Sequence, residues 1–323
     1  MKILVTGGAG FIGSHLVNSY LASGHEVVAL DSMVTGRLQN LPTSGPNFRF
    51  VNGDIRDGML VDSLIKDSDL ILHMAAALGV SNIMTNTIES ISTNILGSEI
   101  VLKASAKYDK RLVIASTSEI YGKNPKQPLS EEDDRVIGTP QNIRWSYSDS
   151  KAIEESMAKS LFMTNSLRVT TVRFFNTVGP RQTGKYGMVL PRFVKSALQG
   201  EDIEVHGNGE QSRVFCHVND AIRGAELLAA SEDSIGEVFN IGGIGEISIR
   251  QLAERITQLT NSNSKIKYIP YESVYPVGFE DMQRRVPDTS KIQRLLGWKP
   301  NLNLDQIIAD VIGFIKADDG VFE

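Results

Sequence analysis

Residues 2–14 read KILVTGGAGFIGS. An apolar run, Lys2 to Thr6, enters a glycine cluster and leaves it as a helix-like stretch, Phe11 to Ala22, which Gly24 ends. Gly7, Gly10 and Gly13 are spaced G-x-x-G-x-x-G, a variant of G-x-G-x-x-G. The physical needs are shared: a tight turn, close approach of backbone to a pyrophosphate, and close packing of helix on strand. Phe11 and Ile12 open the helix from inside that loop. A second apolar run, Glu26 to Leu30, stops at Asp31. A carboxylate there accepts hydrogen bonds from an adenosine ribose 2′-OH and repels a 2′-phosphate, which predicts NAD rather than NADP.

Strand-like and helix-like segments keep alternating outward from this unit. Phe48–Val51, Leu70–Met74, Arg111–Ala115 and Val169–Phe174 read as buried strands, with helices expected over Ile88–Tyr108 and Ser148–Phe162. The pattern predicts an α/β fold, a doubly wound parallel Rossmann sheet. Residues 1–176 are expected to form the NAD-binding domain and 177–323 a smaller substrate-binding region. The two are expected to interleave, because 238–241 reads as a strand returning to the main sheet. Gly179 to Lys185 spells G-x-x-x-x-G-K, but Tyr186 replaces the magnesium-binding hydroxyl and Pro180 and Arg181 open the loop. It reads as a substrate loop.

The 323 residues suffice for about two domains. Lys and Arg total 33 against 38 Asp and Glu, net −5, so no basic surplus exists for nucleic-acid phosphates. One cysteine, Cys216, makes no internal disulfide. His15, His25, His73, His206 and His217 are too scattered to predict a metal site. No leader and no apolar stretch near 18 residues is visible, so a soluble cytoplasmic protein without a membrane partner is expected.

Of eight tyrosines, only Tyr147 has Lys at +4, and on a helix Tyr147 and Lys151 share one face. An ammonium there can depress the phenol's pKa and make Tyr147 a base toward a sugar or alcohol hydroxyl during hydride transfer. Ser116-Thr117-Ser118-Glu119 follows a strand, where ligands of a doubly wound sheet bind, so these groups should face the nicotinamide.

Together these residues resemble the extended short-chain dehydrogenase/reductases that act as nucleotide-sugar epimerases, dehydratases and decarboxylases. Besides the glycine loop, the matching motifs are Gly53-Asp54-Ile55, His73-Met-Ala-Ala76, Asn94, Thr117-Ser-Glu-Ile-Tyr-Gly122, Tyr147-x-x-x-Lys151, Arg173-Phe-Phe-Asn-Thr-Val-Gly-Pro180, and Arg213 ahead of His217-Val-x-Asp220. The resemblance implies that Asp54 and Ile55 contact adenine, that Ala75 and Asn94 line the cofactor, and that Phe175 lies near it. It implies Asn176 and Arg213 for the substrate's diphosphate, and a homodimer. Gly278 stands where UDP-glucose 4-epimerases resemble one another in carrying a second diphosphate arginine, a place Arg192 could fill.

Such enzymes oxidise C4 of the sugar, and three chemistries then branch: re-reduction by a 4-epimerase, water loss by a 4,6-dehydratase, CO₂ loss by a decarboxylase. Glu119 is similar to dehydratases and decarboxylases. Residues 275–288, YPVGFEDMQRRVPD, and the Arg144-Trp-Ser-Tyr147 approach most resemble UDP-glucuronate decarboxylases, where the resemblance implies that Arg285 assists at C5 and that Ser118 and Glu119 act with it. An arginine beside a sugar carboxylate is physically apt. Epimerase and dehydratase remain the alternatives, and a non-catalytic NAD-binding scaffold the remote one.

Overall fold

The computed structural model describes residues 1–184, 188–275 and 279–317. Seven parallel strands form its central sheet: β1 (Lys2–Thr6), β2 (Glu26–Asp31), β3 (Phe48–Asn52), β4 (Leu70–His73), β5 (Arg111–Thr117), β6 (Val169–Phe174) and β7 (Val238–Ile241). Their spatial order is β3-β2-β1-β4-β5-β6-β7. The chain therefore builds outward from β1 in one direction, then returns to place β4 on its other side, with Thr6 beside both Leu30 and His73. Helices leave β1 and β4 on opposite faces, so a crevice opens at the carboxyl ends of these strands.

Burial on both faces explains why the strands read as continuous apolar runs. Ile3 and Val5 point into one core layer with Leu16, Val17, Val27 and Ala225. Leu4 points into the other with Val28, Val61, Ile71, Val101 and Leu112. Strand β7 extends the sheet through Phe239 beside Val172 and Ile241 beside Phe174.

The expected helix over Ile88–Tyr108 is interrupted. Thr87–Ser92 and Ser98–Lys107 are helical, joined by a π-helical turn at Thr93–Gly97. A β-carbon on Gly97 would stand 2.4 Å from the Ile55 side chain, so the helix passes very close to the loop after β3. Such π turns cluster at functional sites. The Ser146–Asn165 helix runs somewhat beyond its expected ends and stops at Ser166, in the left-handed region.

A separate core, with Leu190, Phe193, Val194, Ile203, Leu252, Ile256 and Ile308, supports the later part of the chain. There Ser212–Val214 is sandwiched between Glu246–Ser248 and Arg284–Arg285. This small sheet sets Arg285 directly beside Arg213, 72 positions earlier in the chain. No helix among the described residues is long and apolar enough to cross a membrane, and no group of three or more His, Cys, Asp or Glu there could hold a metal.

Candidate active site

A cavity of about 580 Å³ runs from the glycine turn, past the carboxyl ends of the strands, to the small sheet. At its first end the Gly7 N–H donates to Leu30 O at 2.8 Å and the Gly10 N–H to Gly7 O at 3.0 Å. Gly7 has φ +67°, and a β-carbon on it would lie 2.8 Å from the Ala75 backbone. Asp31 is held by N–H groups of Ala9 and Met33, each at 2.9 Å. Burial raises its pKa, against the pull of those backbone bonds. Asp54 is clamped by Arg56 at 2.6 Å, and Arg56 also reaches Glu89 at 2.7 Å. Phe11, Ile12, Gly13, Ile55 and Ala75 line the same wall.

In the middle, Thr117 closes β5 and its hydroxyl accepts from the Glu119 N–H at 3.2 Å, capping a short helical turn. The same hydroxyl neighbours the phenol of Tyr147 and favours its ionised form. Lys151 donates to Ala115 O at 3.0 Å and to Glu154 Oε2 at 2.9 Å. Here the sequence expectation needs correction: the Tyr147 phenol is not depressed. Burial pushes its pKa up, and the Glu119 and Glu154 carboxylates push it further. A lysine already neutralised by an adjacent buried acid cannot exert its full field on the phenol.

Beyond Tyr147 lies an arginine cluster. Arg144, 2% exposed, grips Glu119 bidentately at 2.6 and 3.1 Å. Arg285 approaches the same carboxylate at 3.8 Å and donates to Ser118 Oγ at 3.3 Å. Burial would raise the Glu119 carboxyl, but Arg144 and Arg285 together hold it below the usual range. Arg285 is 9% exposed, whereas Arg284 points outward to Glu246 at 2.7 Å. Burial, then the Arg213 guanidinium, lowers Arg285 to about 10 despite Glu119. Trp145 Nε1 donates to Glu280 Oε2 at 3.0 Å, tying the approach to Tyr147 to the segment that carries Arg285.

At the far end, Arg213 bonds Ser212 O at 2.8 Å and Asp281 at 3.0 Å. Asn176, at φ +32°, donates to Val214 O at 2.9 Å. Arg192 lies over the Phe193 ring at 5.1 Å, and burial lowers its pKa. Tyr275 stacks on Phe279 with ring centres 3.9 Å apart. Gly278, Lys185 and Tyr186 lie outside the described residues; Arg181 of the expected substrate loop lines the cavity.

A family model described as GDP-mannose 4,6 dehydratase matches residues 4–311. The chain belongs to that family. It is 40% identical over 98% of its length to a UDP-N-acetyl-alpha-D-glucosaminuronate decarboxylase from Bacillus cytotoxicus, covering 98% of that protein. It is 35% identical to UDP-glucuronic acid decarboxylase 1 of Xenopus tropicalis, over 98% of this chain and 72% of that one. Among solved structures, a dTDP-glucose 4,6-dehydratase from Streptomyces venezuelae with NAD and TYD bound superposes with a TM-score of 0.90 at 30% identity, covering 100% of this chain and 99% of that one. Like these GDP-mannose 4,6 dehydratase-family relatives it is an enzyme of the short-chain dehydrogenase/reductase class, and its cofactor is NAD.

The cavity fits that cofactor on physical grounds. Gly7, Gly10 and Gly13 leave backbone exposed at the start of the Phe11–Ala22 helix, and Asp31 stands at the end of the neighbouring strand. The fit is tight: a β-carbon on Gly13 would meet Gly7 O at 2.1 Å. Gly13→Ala should therefore cost about 1–3 kcal/mol of stability, measured by urea unfolding, and release NAD on purification.

Two implied cofactor residues flank the cavity wall without lining it. Asn94 does not line the cavity: its amide accepts from Ala77 N at 2.8 Å and donates to Ala77 O at 3.1 Å, bracing the Ala75–Ala77 loop from behind. Phe175 is fully buried against Tyr121, ring centres 5.9 Å apart, while Phe174 faces the cavity. The remaining expected residues all line it. Sequence reasoning gave no role to Arg144's grip on Glu119, to Glu154, or to Asp281 beside Arg213. A signal existed for two of them, since Arg144 lies three residues before Tyr147 and Glu154 three after Lys151, helical spacing in both cases.

Proposed function

We propose that this NAD-dependent nucleotide-sugar-modifying enzyme decarboxylates a UDP-activated hexuronic acid. The observation that carries the reading is the environment of Arg285. Its nearest carboxylate, Glu119, already has both oxygens bonded by Arg144, so the Arg285 charge is incompletely matched in a buried place. A carboxylate at sugar C6 supplies that missing anion, whereas a neutral hexose leaves the guanidinium desolvated and only partly matched. Arg192 and Arg213, further along, suit the two charges of a diphosphate.

NAD⁺, held by the glycine turn and Asp31, supplies reversible acceptance of hydride from sugar C4. Thr117 orients the C4 hydroxyl and Tyr147 takes its proton, while Lys151 holds the nicotinamide ribose. The resulting C4 ketone is β to the C6 carboxylate, so loss of CO₂ leaves an enolate that must be protonated at C5. Arg285, with Ser118 and Glu119, stands to receive the carboxylate and to supply a cation and a proton donor beside C5.

The C2 substituent is a separate choice. The Bacillus cytotoxicus relative is named for an N-acetylglucosaminuronate and the Xenopus tropicalis relative for glucuronate. UDP-glucuronate and UDP-N-acetylglucosaminuronate are therefore supplied in parallel, with CO₂ and the nucleotide product followed by mass spectrometry. Stoichiometric CO₂ and a pentose nucleotide from one of them is expected. Absence of CO₂ from both, with UDP-galactose formed from UDP-glucose or a 4-keto-6-deoxy product, overturns the reading in favour of an epimerase or a dehydratase.

A further inference from the structure

Two adjacent acids on the Ser146–Asn165 helix turn inward, Glu155 half-buried and Glu154 fully buried, and only one has a structural explanation. Glu155 bonds Arg173 at 2.7 and 2.9 Å and accepts from Ser116 at 2.5 Å, tying the helix to β5 and β6. Glu154 is 1% exposed and its ion partner is Lys151. A buried ion pair adds little net stability over an apolar pair of the same size. Its presence beneath the redox residues points to the chemistry.

An ammonium has three N–H donors. Two of those on Lys151 are taken by Ala115 O and Glu154, which leaves one for the cavity that Lys151 lines. Glu154 is in turn approached by a chain of polar groups. The Ala75 N–H donates to Thr6 Oγ1 at 3.3 Å, so the Thr6 hydroxyl proton is free for His73 Nδ1 at 2.7 Å. Burial lowers His73 to about 3, keeping it neutral, and its Nε2–H then donates to Ser98 Oγ at 2.9 Å. Burial raises the Glu154 carboxyl, and the Lys151 ammonium, then the neighbouring Ser98 hydroxyl, draw it back toward the charged form.

We propose that Glu154 is a positioning residue of the redox pair: it anchors the Lys151 ammonium and offsets its charge, and so sets the pH at which Tyr147 acts as base. This rests on the reading of Tyr147 given above. The charged and titratable groups facing Tyr147 are Glu119, Arg144, Lys151 and Glu154; those facing Glu154 are Lys151 and Glu155, with His73 behind Ser98. Glu154 acts on the phenol in the raising direction. Removing its charge leaves Lys151 uncompensated, so the phenol ionises at lower pH and the rate rises with pH earlier.

The test uses NAD-loaded wild type, Glu154→Gln and Glu154→Asp, each titrated by tyrosinate absorbance with the corresponding Tyr147→Phe protein subtracted. Glu154→Gln is expected to move Tyr147 ionisation down by about 1 pH unit, and the ascending limb of the turnover profile with it. Glu154→Asp, which keeps the charge, should stay near wild type. Glu154→Met removes the charge without burying a new polar group and should shift the titration in the same direction; it decides the matter if Glu154→Gln does not fold. An unmoved titration in Glu154→Gln or, failing that protein, in Glu154→Met overturns the proposal, as does an equal shift in the Asp variant. The titration needs no substrate, so failure to release CO₂ from a UDP-hexuronate counts against the proposed reaction alone.

Discussion

Tyr147→Phe should lower turnover by about 10²–10⁴-fold, the usual worth of a positioned acid–base group, while leaving the fold and bound NAD in place. The substitution removes one oxygen and keeps the ring, so packing changes little. Thr117 and Lys151 remain, yet neither replaces the lost base: the Thr117 hydroxyl is already an acceptor for the Glu119 N–H, and Lys151 is engaged by Ala115 and Glu154. The measurement is kcat for the nucleotide product, with cofactor content and thermal melting as controls. Turnover at the wild-type rate would remove Tyr147 from the chemistry and favour a scaffold reading of the chain.

Arg285→Ala should suppress CO₂ release by about 30- to 3,000-fold, the equivalent of roughly 2–5 kcal/mol for truncating one partner of a buried charge pair. Oxidation at C4 should persist, because Thr117, Tyr147 and Lys151 lie on the β5 turn and the Ser146–Asn165 helix, not on the strand of Arg285. Single-turnover absorbance of reduced cofactor at 340 nm, set against CO₂ released in the same sample, separates the two steps. The expected variant accumulates reduced cofactor without CO₂. Loss of both signals together would make Arg285 a substrate-binding group with no part at C5. Arg284→Ala is the companion protein: this exposed side chain pairs with Glu246 on the outside of the small sheet, so the variant should release CO₂ normally.

The nucleotide end of the site was legible because its determinants are local. A strand, a turn that only glycine can follow, a helix start and a carboxylate at the next strand's end all fall within Lys2–Asp31, and each imposes its requirement on near neighbours. The pairing of Tyr147 with Lys151 is local too, being one helical turn. The sequence was silent where a side chain's direction depends on remote packing. Phe174 and Phe175 are adjacent at a strand end, and the β6–β7 pairing decides which of them meets the cavity. Asn94 sits on a π turn whose rotation aims it at the Ala77 backbone.

By itself, then, the sequence determined the doubly wound sheet, the glycine turn and the one-turn spacing of Tyr147 and Lys151, since hydrophobic period, turn chemistry and helical spacing act over a few residues. Only the tertiary structure decided the electrostatics of the candidate site. Arg285 reaches Ser118 and Glu119 because its short strand pairs beside Arg213, and the charge of Lys151 is offset by Glu154 where both side chains are almost wholly buried. Charges act through space and in proportion to their desolvation. Neither the distances nor the burial are written in the order of residues along a chain.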